Sequence, residues 1–464
     1  MKNSLTKQQK KEILEILLST GGEFAEVFME DTTQETLEMY SGNISRSDVS
    51  KISGAAVRII KNNVEVNTSV TDYSYDNLIK VANELSKSFD GAKTTEVEEF
   101  KEIKVPTYVR VERPCKGDNK EELAIMEEIT KGAKAYSDKV VQVQVIFWKK
   151  IQDMEVFASD GTNVGDHRNN MRVSGVAIAK DGDKMQSNHA SHGRNAGMEM
   201  FDGFDAYAFG QKIARDAVLM LDAIDMPGGD IPVVIDNGFG GVILHEACVH
   251  GLEATSVAKG LSVFSNKIGE KIASDIVNAV DEGTGEGEWG SINVDDEGTV
   301  SQRRSLIENG VLKTYLVDKR NSKIMNHPIT GSSRRQNYKF QTTSRMTNTY
   351  FLPGKDKFDD IIASVKYGLY AKEMGGGSVN PSTGEFNFAV NVGYLIEDGK
   401  ITKPVKGATL VGSGKDVLLR VEMISDNLAH AQGMCGSMSG SVPTNVGQPT
   451  IKLSHMVVGG KGGN

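Results

Sequence analysis

Hydrophobic and polar positions along the first twenty residues follow a helical rhythm: Ile13, Ile16 and Leu17 share one face, and Thr6 with Gln9 three residues later supplies a capping box. The rhythm stops before Gly21-Gly22. Over residues 23–71 short Val/Ile-rich runs such as AAVRII alternate with turn residues, which predicts several strands. Ser74 then caps a predicted helix on which Leu78, Val81, Ala82 and Leu85 recur at helical spacing. Another helix over residues 121–135 precedes VVQVQVIFW, MEVFASDG and RVSGVAIAKDG, read as a strand set punctuated by Asp-Gly turns. A helix over 210–221 leads into Met226-Pro227-Gly228-Gly229-Asp230, the strongest punctuation in the chain. Beyond it the pattern becomes glycine-rich, with β signatures in VLKTYLVD, EFNFAVNVGYLIEDG and PTIKLSHMVVGG. The expectation is an α+β protein of two domains, an α/β domain over 1–225 and a largely antiparallel β domain over 226–464.

Length and composition agree with that division, since 464 residues exceed what one hydrophobic core usually serves. With 39% hydrophobic and 25% charged residues, no window approaches the ~20 unbroken apolar positions a membrane helix needs. A net charge of −9 and the lack of any block of basic residues argue against a nucleic-acid surface. The leucines and isoleucines of the first helix alternate with Lys11, Glu12 and Glu15, so no apolar signal core forms. Cys115, Cys248 and Cys435 are an odd number, widely spread, which is no disulfide framework. A cytoplasmic chain is expected, without membrane or nucleic-acid partners.

One segment concentrates chemistry. NGFGGVILHEACVHGLEA sets His245, Glu246 and His250 in an HExxxH arrangement, one residue longer than the helical HExxH zinc motif. On a regular helix the two histidines would point about 140° apart with a rise of roughly 7.5 Å, too far for both rings to reach one ion at about 2 Å. The spacing therefore predicts a distorted turn between them, such as a single π-bulge. A catalytic zinc takes three protein ligands and leaves a fourth position to water, so a third ligand is needed. Cys248 in the same turn reads as a small core residue. Glu253 can ligate, orient a histidine, or be a surface acid. Cys435, in Gly433-Met434-Cys435-Gly436, has a backbone able to approach a metal, yet spacing alone favours a free buried thiol.

HEACVHGLEA is followed in order by KGLSVFSNKIGEKIAS, VDEGT, GSSRRQNYKFQTTSRMTNTYFLPG, GGGSVNPSTGEFNFAVNVGYLIEDGKIT, PVKGATLVGSG and MCGSMSGSVPTNVGQPTIKLSHMVVGG. This series resembles the TldD/PmbA family of metallopeptidases, once described as modulators of DNA gyrase. The resemblance implies zinc ligands at His245, His250 and Cys435 and the TldD rather than the PmbA type; Glu246, beside the first histidine of the motif, is the expected general base. It also implies an N-terminal α/β domain serving dimerisation and substrate access, and a C-terminal metallopeptidase domain whose β framework carries the metal-site helix. The partners implied are peptide or unfolded-protein substrates, bound extended against a strand edge, and a second copy or a PmbA-like paralogue. Two departures stand out: Val249 where the family has glycine before the second histidine, and Gly436-Ser437-Met438-Ser439 after the cysteine.

Other candidates read more plainly. Arg334, Arg335, Tyr338 and Arg345 are transition-state stabilisers or structural ion pairs. His327, His430 and His455 have no partner at ligand spacing. Neither a phosphate loop nor a Gly-x-Ser-x-Gly elbow is present, since Met438 holds the central position of Gly436-Ser437-Met438-Ser439-Gly440. The rival to a zinc-dependent endopeptidase is a non-catalytic peptide-binding subunit of a TldD/PmbA-type complex.

Overall fold

The computed structural model describes residues 5–115, 117–380 and 383–460. The first half is organised on one six-stranded antiparallel sheet in the order β3-β2-β1-β4-β5-β6. Its strands are β1 Phe24–Tyr40, β2 Asn43–Lys61, β3 Val64–Val70, β4 Val140–Ala158, β5 Asn163–Asp181 and β6 Lys184–Asn195. The runs VVQVQVIFW and MEVFA belong to the single strand β4: its ladder to β5 runs without a register shift from Gln142 to Phe157, while the buried positions pass from odd numbers (143–149) to even ones (152–156) at Lys150-Ile151 as the strand leaves the helices for the second half.

Both faces of this sheet are covered, and the alternation along each strand decides by what. Ala25, Val27 and Met29 of β1 pack with Ala55, Val57 and Ile59 of β2 against α1 (Lys7–Leu18) and α2 (Tyr75–Ser86). Val143, Val145 and Phe147 of β4 and Met171 and Val173 of β5 pack against α3 (Lys120–Tyr136) and α4 (Ala206–Leu219). The intervening positions Phe28, Met154, Val156 and Val164 face the second half, meeting Val294 and Tyr338. Each large side chain buried this way contributes about 1.5–3 kcal/mol of transfer free energy.

The capping box at Thr6 and Gln9 is made as the sequence predicts. Ser74 takes its cap position with extended backbone but makes no side-chain cap bond; its N–H is bound by Asp72 Oδ1 instead. The fourth helix begins at Ala206, four residues ahead of the predicted start, because Asp205 caps it by accepting from the N–H of Ala208.

The second half holds a closed ring of five strands. Gly229–Ile235 pairs with Tyr367–Val379, which pairs with Glu385–Glu397, then Thr409–Ser413, then Ile451–Gly459, which returns to Gly229–Ile235. Beside it lies a mixed sheet in the order Val311–Leu312, Arg303–Glu308, Ala279–Glu282, Asn348–Phe351, Gly440–Gln448, Ala429–Ser437. In VLKTYLVD only Val311–Leu312 joins a ladder; Tyr315, Leu316 and Val317 are spent on the core.

The halves are fastened by buried ion pairs. Arg58 meets Glu26 and Glu297, Arg168 meets Asp166 and Asp296, and Arg335 meets Glu26. Among the described residues no helix is long and apolar enough to cross a membrane.

Candidate metal centre

The short helix α5 (Val242–Ala247) carries His245 and Glu246 and is held by close backbone approaches at both ends. A Cβ on Gly241 would lie 2.5 Å from the backbone N and O of Gly447, and one on Gly414 would lie 1.8 Å from the carbonyl oxygen of Ala247. Ile243, Leu244 and Ala247 anchor its inner face in the core of the strand ring.

The helix breaks at Cys248, whose dihedrals (φ −126°, ψ −59°) leave the α region, and restarts as a 3₁₀ turn over Val249–Leu252. The expected distortion is present, as a break followed by a tighter turn rather than a π-bulge. The irregularity falls on Cys248, so Val249 occupies an ordinary turn position, fully buried. The change of winding offsets the 140° problem: the two imidazoles stand 4.8 Å apart, perpendicular to each other at 89°.

Cys435 reaches them from 190 and 185 residues away along the chain, on the edge strand Ala429–Ser437. Its Sγ lies 3.2 Å from His245 Nε2 and 3.3 Å from His250 Nε2, and the three ligand atoms fall within 4.8 Å of one another. A tetrahedral ion at about 2.1 Å from nitrogen and 2.3 Å from sulfur separates those atoms by about 3.6 Å, so the two sulfur–nitrogen distances need a few tenths of an ångström and the widest separation, at most 4.8 Å, closes by up to about 1.2 Å through rotation of the imidazoles. Burial pushes the Cys435 thiol up, but the two histidines outweigh it and hold it well below the usual thiol range. Burial lowers His250, and Glu253 with Cys435 outweigh that and raise it. Binding a metal releases such protons and uses the thiolate directly.

Glu246 lies at the rim. Its Oε2 is 3.7 Å from His250 Nε2 and its side chain is 20% exposed, against 4% for the residue His245. Glu253 takes the orienting position among the alternatives open to it, with Oε1 3.3 Å from His250 Nδ1. Cys248 is a core thiol pushed up to about 12 by burial.

The remaining candidates sort by contact. Arg334 donates to the Met346 carbonyl, Arg335 lies over the Phe28 ring beside Glu26, and the Tyr338 N–H donates to Glu30; these are structural. Arg345, fully buried, donates to the Cys435 carbonyl from behind. His327 bonds with Thr314 and the Pro328 carbonyl, His455 with Ser454, and His430 Nδ1 lies 3.3 Å from Glu288. Trp289 was not legible as part of the site: its Nε1 donates to the Gly433 carbonyl at 2.8 Å, across 144 residues, with no spacing signal to show it.

Comparison with known proteins gives a consistent result. Residues 25–88, 114–221 and 228–460 match, in turn, domain 1, the central domain and the C-terminal domain of the PmbA/TldA metallopeptidases. A metalloprotease TldD homolog of Haemophilus influenzae is 40% identical over 73% of this chain and 72% of its own length. A zinc metalloprotease TldD homolog of Saccharolobus solfataricus is 25% identical over 76% of this chain and 79% of its own. A Thermotoga maritima crystal structure, of a candidate modulator of a DNA gyrase, shares the fold with a TM-score of 0.79 at 19% identity, over 98% of this chain and 100% of that one. On these matches over nearly its whole length, the chain belongs to the PmbA/TldD family of metallopeptidases.

Proposed function

We propose that this chain is a zinc-dependent endopeptidase whose ion is held by His245 Nε2, His250 Nε2 and Cys435 Sγ, with Glu246 as general base. The supporting observation is the convergence of Cys435 on both histidines within 3.3 Å from a distant strand, beside a carboxylate at the rim. A His₂Cys donor set favours zinc on softness, and the Saccharolobus relative bears a zinc metalloprotease name. Zinc bound there supplies Lewis acidity to a water and to the scissile carbonyl.

The chain's own groups do the rest. Glu253 beside His250 Nδ1 holds the ring so that Nε2 presents its lone pair to the site. Glu246 takes the proton of the attacking water on its carboxylate and delivers it to the leaving nitrogen. Peptides or unfolded segments are the substrates, bound extended. The carbonyls of Gly433 and Cys435 are already engaged by Trp289 and Arg345, so main-chain pairing falls to other stretches of edge. Residues 430–432 of the same strand line a cavity of about 450 Å³ whose other wall includes residues 189–192 of the edge strand β6. The assembly we expect is a dimer with a second copy or a PmbA-like paralogue, and three unpaired thiols suit a reducing cytoplasm.

The test combines metal analysis with cleavage of an unstructured peptide. Glu246→Gln is expected to keep near one zinc per chain and to lose about 10²–10⁴-fold in cleavage; retained cleavage removes Glu246 from the role. A metal-free, inactive parent that still binds peptide establishes the non-catalytic subunit instead.

A further inference from the structure

The sulfur ligand hangs from an edge strand, the least restrained part of a sheet. What restrains it here is one buried side chain. Arg345 Nη2 donates to the carbonyl of Cys435 itself, and Nη1 donates to Ser439 Oγ at 2.7 Å and the Gly440 carbonyl at 2.8 Å in the turn that follows. The guanidinium thus ties the backbone of the ligand to its hairpin turn.

On its other side the same group faces the histidine ligands. Arg345 Nε lies 3.8 Å from Glu253 Oε1, and that oxygen lies 3.3 Å from His250 Nδ1. Among the described residues Arg345 Nε and Glu253 Oε1 are buried with no hydrogen-bond partner, and Glu253 is the carboxylate that lies within 4 Å of the guanidinium. His245 Nδ1 is likewise buried without a partner, so its ring is set by packing and by the contact of Nε2 with Cys435 Sγ. Two of the three ligands are therefore braced through a single guanidinium, from opposite sides.

We propose that Arg345 is a positioning residue that assembles the donor set, tying the Cys435 carbonyl and its hairpin turn to Glu253 and thereby to His250. This rests on the reading of His245, His250 and Cys435 as a zinc site. Lysine cannot replace it, because one ammonium lacks the planar fork that serves the carbonyl, the turn and the carboxylate together. The role is distinct from chemistry: Arg345 is fully buried behind the cysteine.

The experiment measures zinc affinity of the full-length apoprotein by competition with a chromogenic chelator, and records the thiolate charge-transfer band of the cobalt-loaded form. Arg345→Lys, Glu253→Gln and the double variant are compared with the parent. We expect Arg345→Lys to lose about 10–100-fold in affinity, Glu253→Gln roughly tenfold, and both to show an altered cobalt band. The double variant is expected to fall well short of the sum, because both residues act through one linkage. A folded Arg345→Lys that binds zinc within about twofold of the parent, with an unchanged band, overturns the proposal. If Arg345→Lys does not fold, Glu253→Gln decides: parental affinity overturns the idea and a tenfold loss supports it. A parent that binds no zinc overturns the zinc reading and this inference together, whereas a zinc-binding parent with unaffected variants overturns this inference alone.

Discussion

Replacing Gly414 by alanine tests whether the backbone packing around α5 sets the ligand geometry. The new Cβ would sit 1.8 Å from the carbonyl oxygen of Ala247, 2.8 Å from its carbonyl carbon and 3.4 Å from its Cα. Opening the first contact to even about 3.2 Å, still short of the optimum for carbon contacts, requires about 1.4 Å of displacement. Neither partner is a flexible side chain, so backbone must move. Ala247 lies two residues after His245 and three before His250, and a metal site tolerates only about 0.2 Å in its ligand distances. Overpacking of this kind costs about 1–3 kcal/mol, and at about 2–4 °C per kcal/mol for a domain of this size the melting temperature should fall by roughly 2–12 °C. Zinc affinity should fall more sharply, by about 10²-fold, the order expected for a misplacement near 1 Å. Gly436→Ala is the control, since its Cβ would meet nothing within 4 Å although it adjoins Cys435. Thermal melts with and without zinc, together with chelator competition, measure both quantities. A Gly414→Ala protein with parental melting and parental affinity would show that the 413–414 segment yields without moving α5, and the packing argument would be lost.

Two further outcomes follow from the same geometry. Cys435→Ser puts a hydroxyl where a thiolate stands, so the chain should retain its fold yet emerge from gel filtration with far less than one zinc; full occupancy would remove the sulfur from the ligand set. In the parent, burial pushes Asp296 up but Arg168 and Arg335 outweigh it, so its folded pKa is depressed. Its contribution to stability is therefore present above the ordinary aspartate range and lost as the pH falls through the depressed value. In Arg168→Met, burial acts with less opposition, and we expect about 3–5 kcal/mol of destabilisation at neutral pH with a shallower loss on acidification. Urea titrations between pH 3 and 7 check the slope, and parallel curves for parent and variant would refute it.

Much of the scaffold can be read from local chemistry. Period-2 alternation in the runs around Val145 and Val173 specifies strands with two different faces, and the Thr6 capping box marks where the first helix starts. These signals are legible because strand faces and caps depend on neighbours within a few residues. The HExxxH spacing also announced a departure from regular helix before any coordinates, since the angle between positions i and i+5 is a property of the helix alone.

What spacing left open was decided by contacts across long separations. Cys435 and Cys248 are both nearly sealed from solvent, yet one is a core thiol and the other meets two histidines, because only the second lies on a strand that passes the end of α5. The resemblance to a family singled out Cys435, while its geometry came from the fold. Arg345 and Trp289 reach the cysteine-bearing strand from 90 and 144 residues away. The sequence by itself therefore determined the helices and strands of the first half, the α+β class and the histidine pair, set by interactions over a few residues, whereas VLKTYLVD reads as a strand and joins a ladder only at Val311–Leu312. The sulfur beside that pair and the guanidinium that braces it were decided by tertiary structure alone, because a hydrogen bond between distant segments leaves no period in the chain.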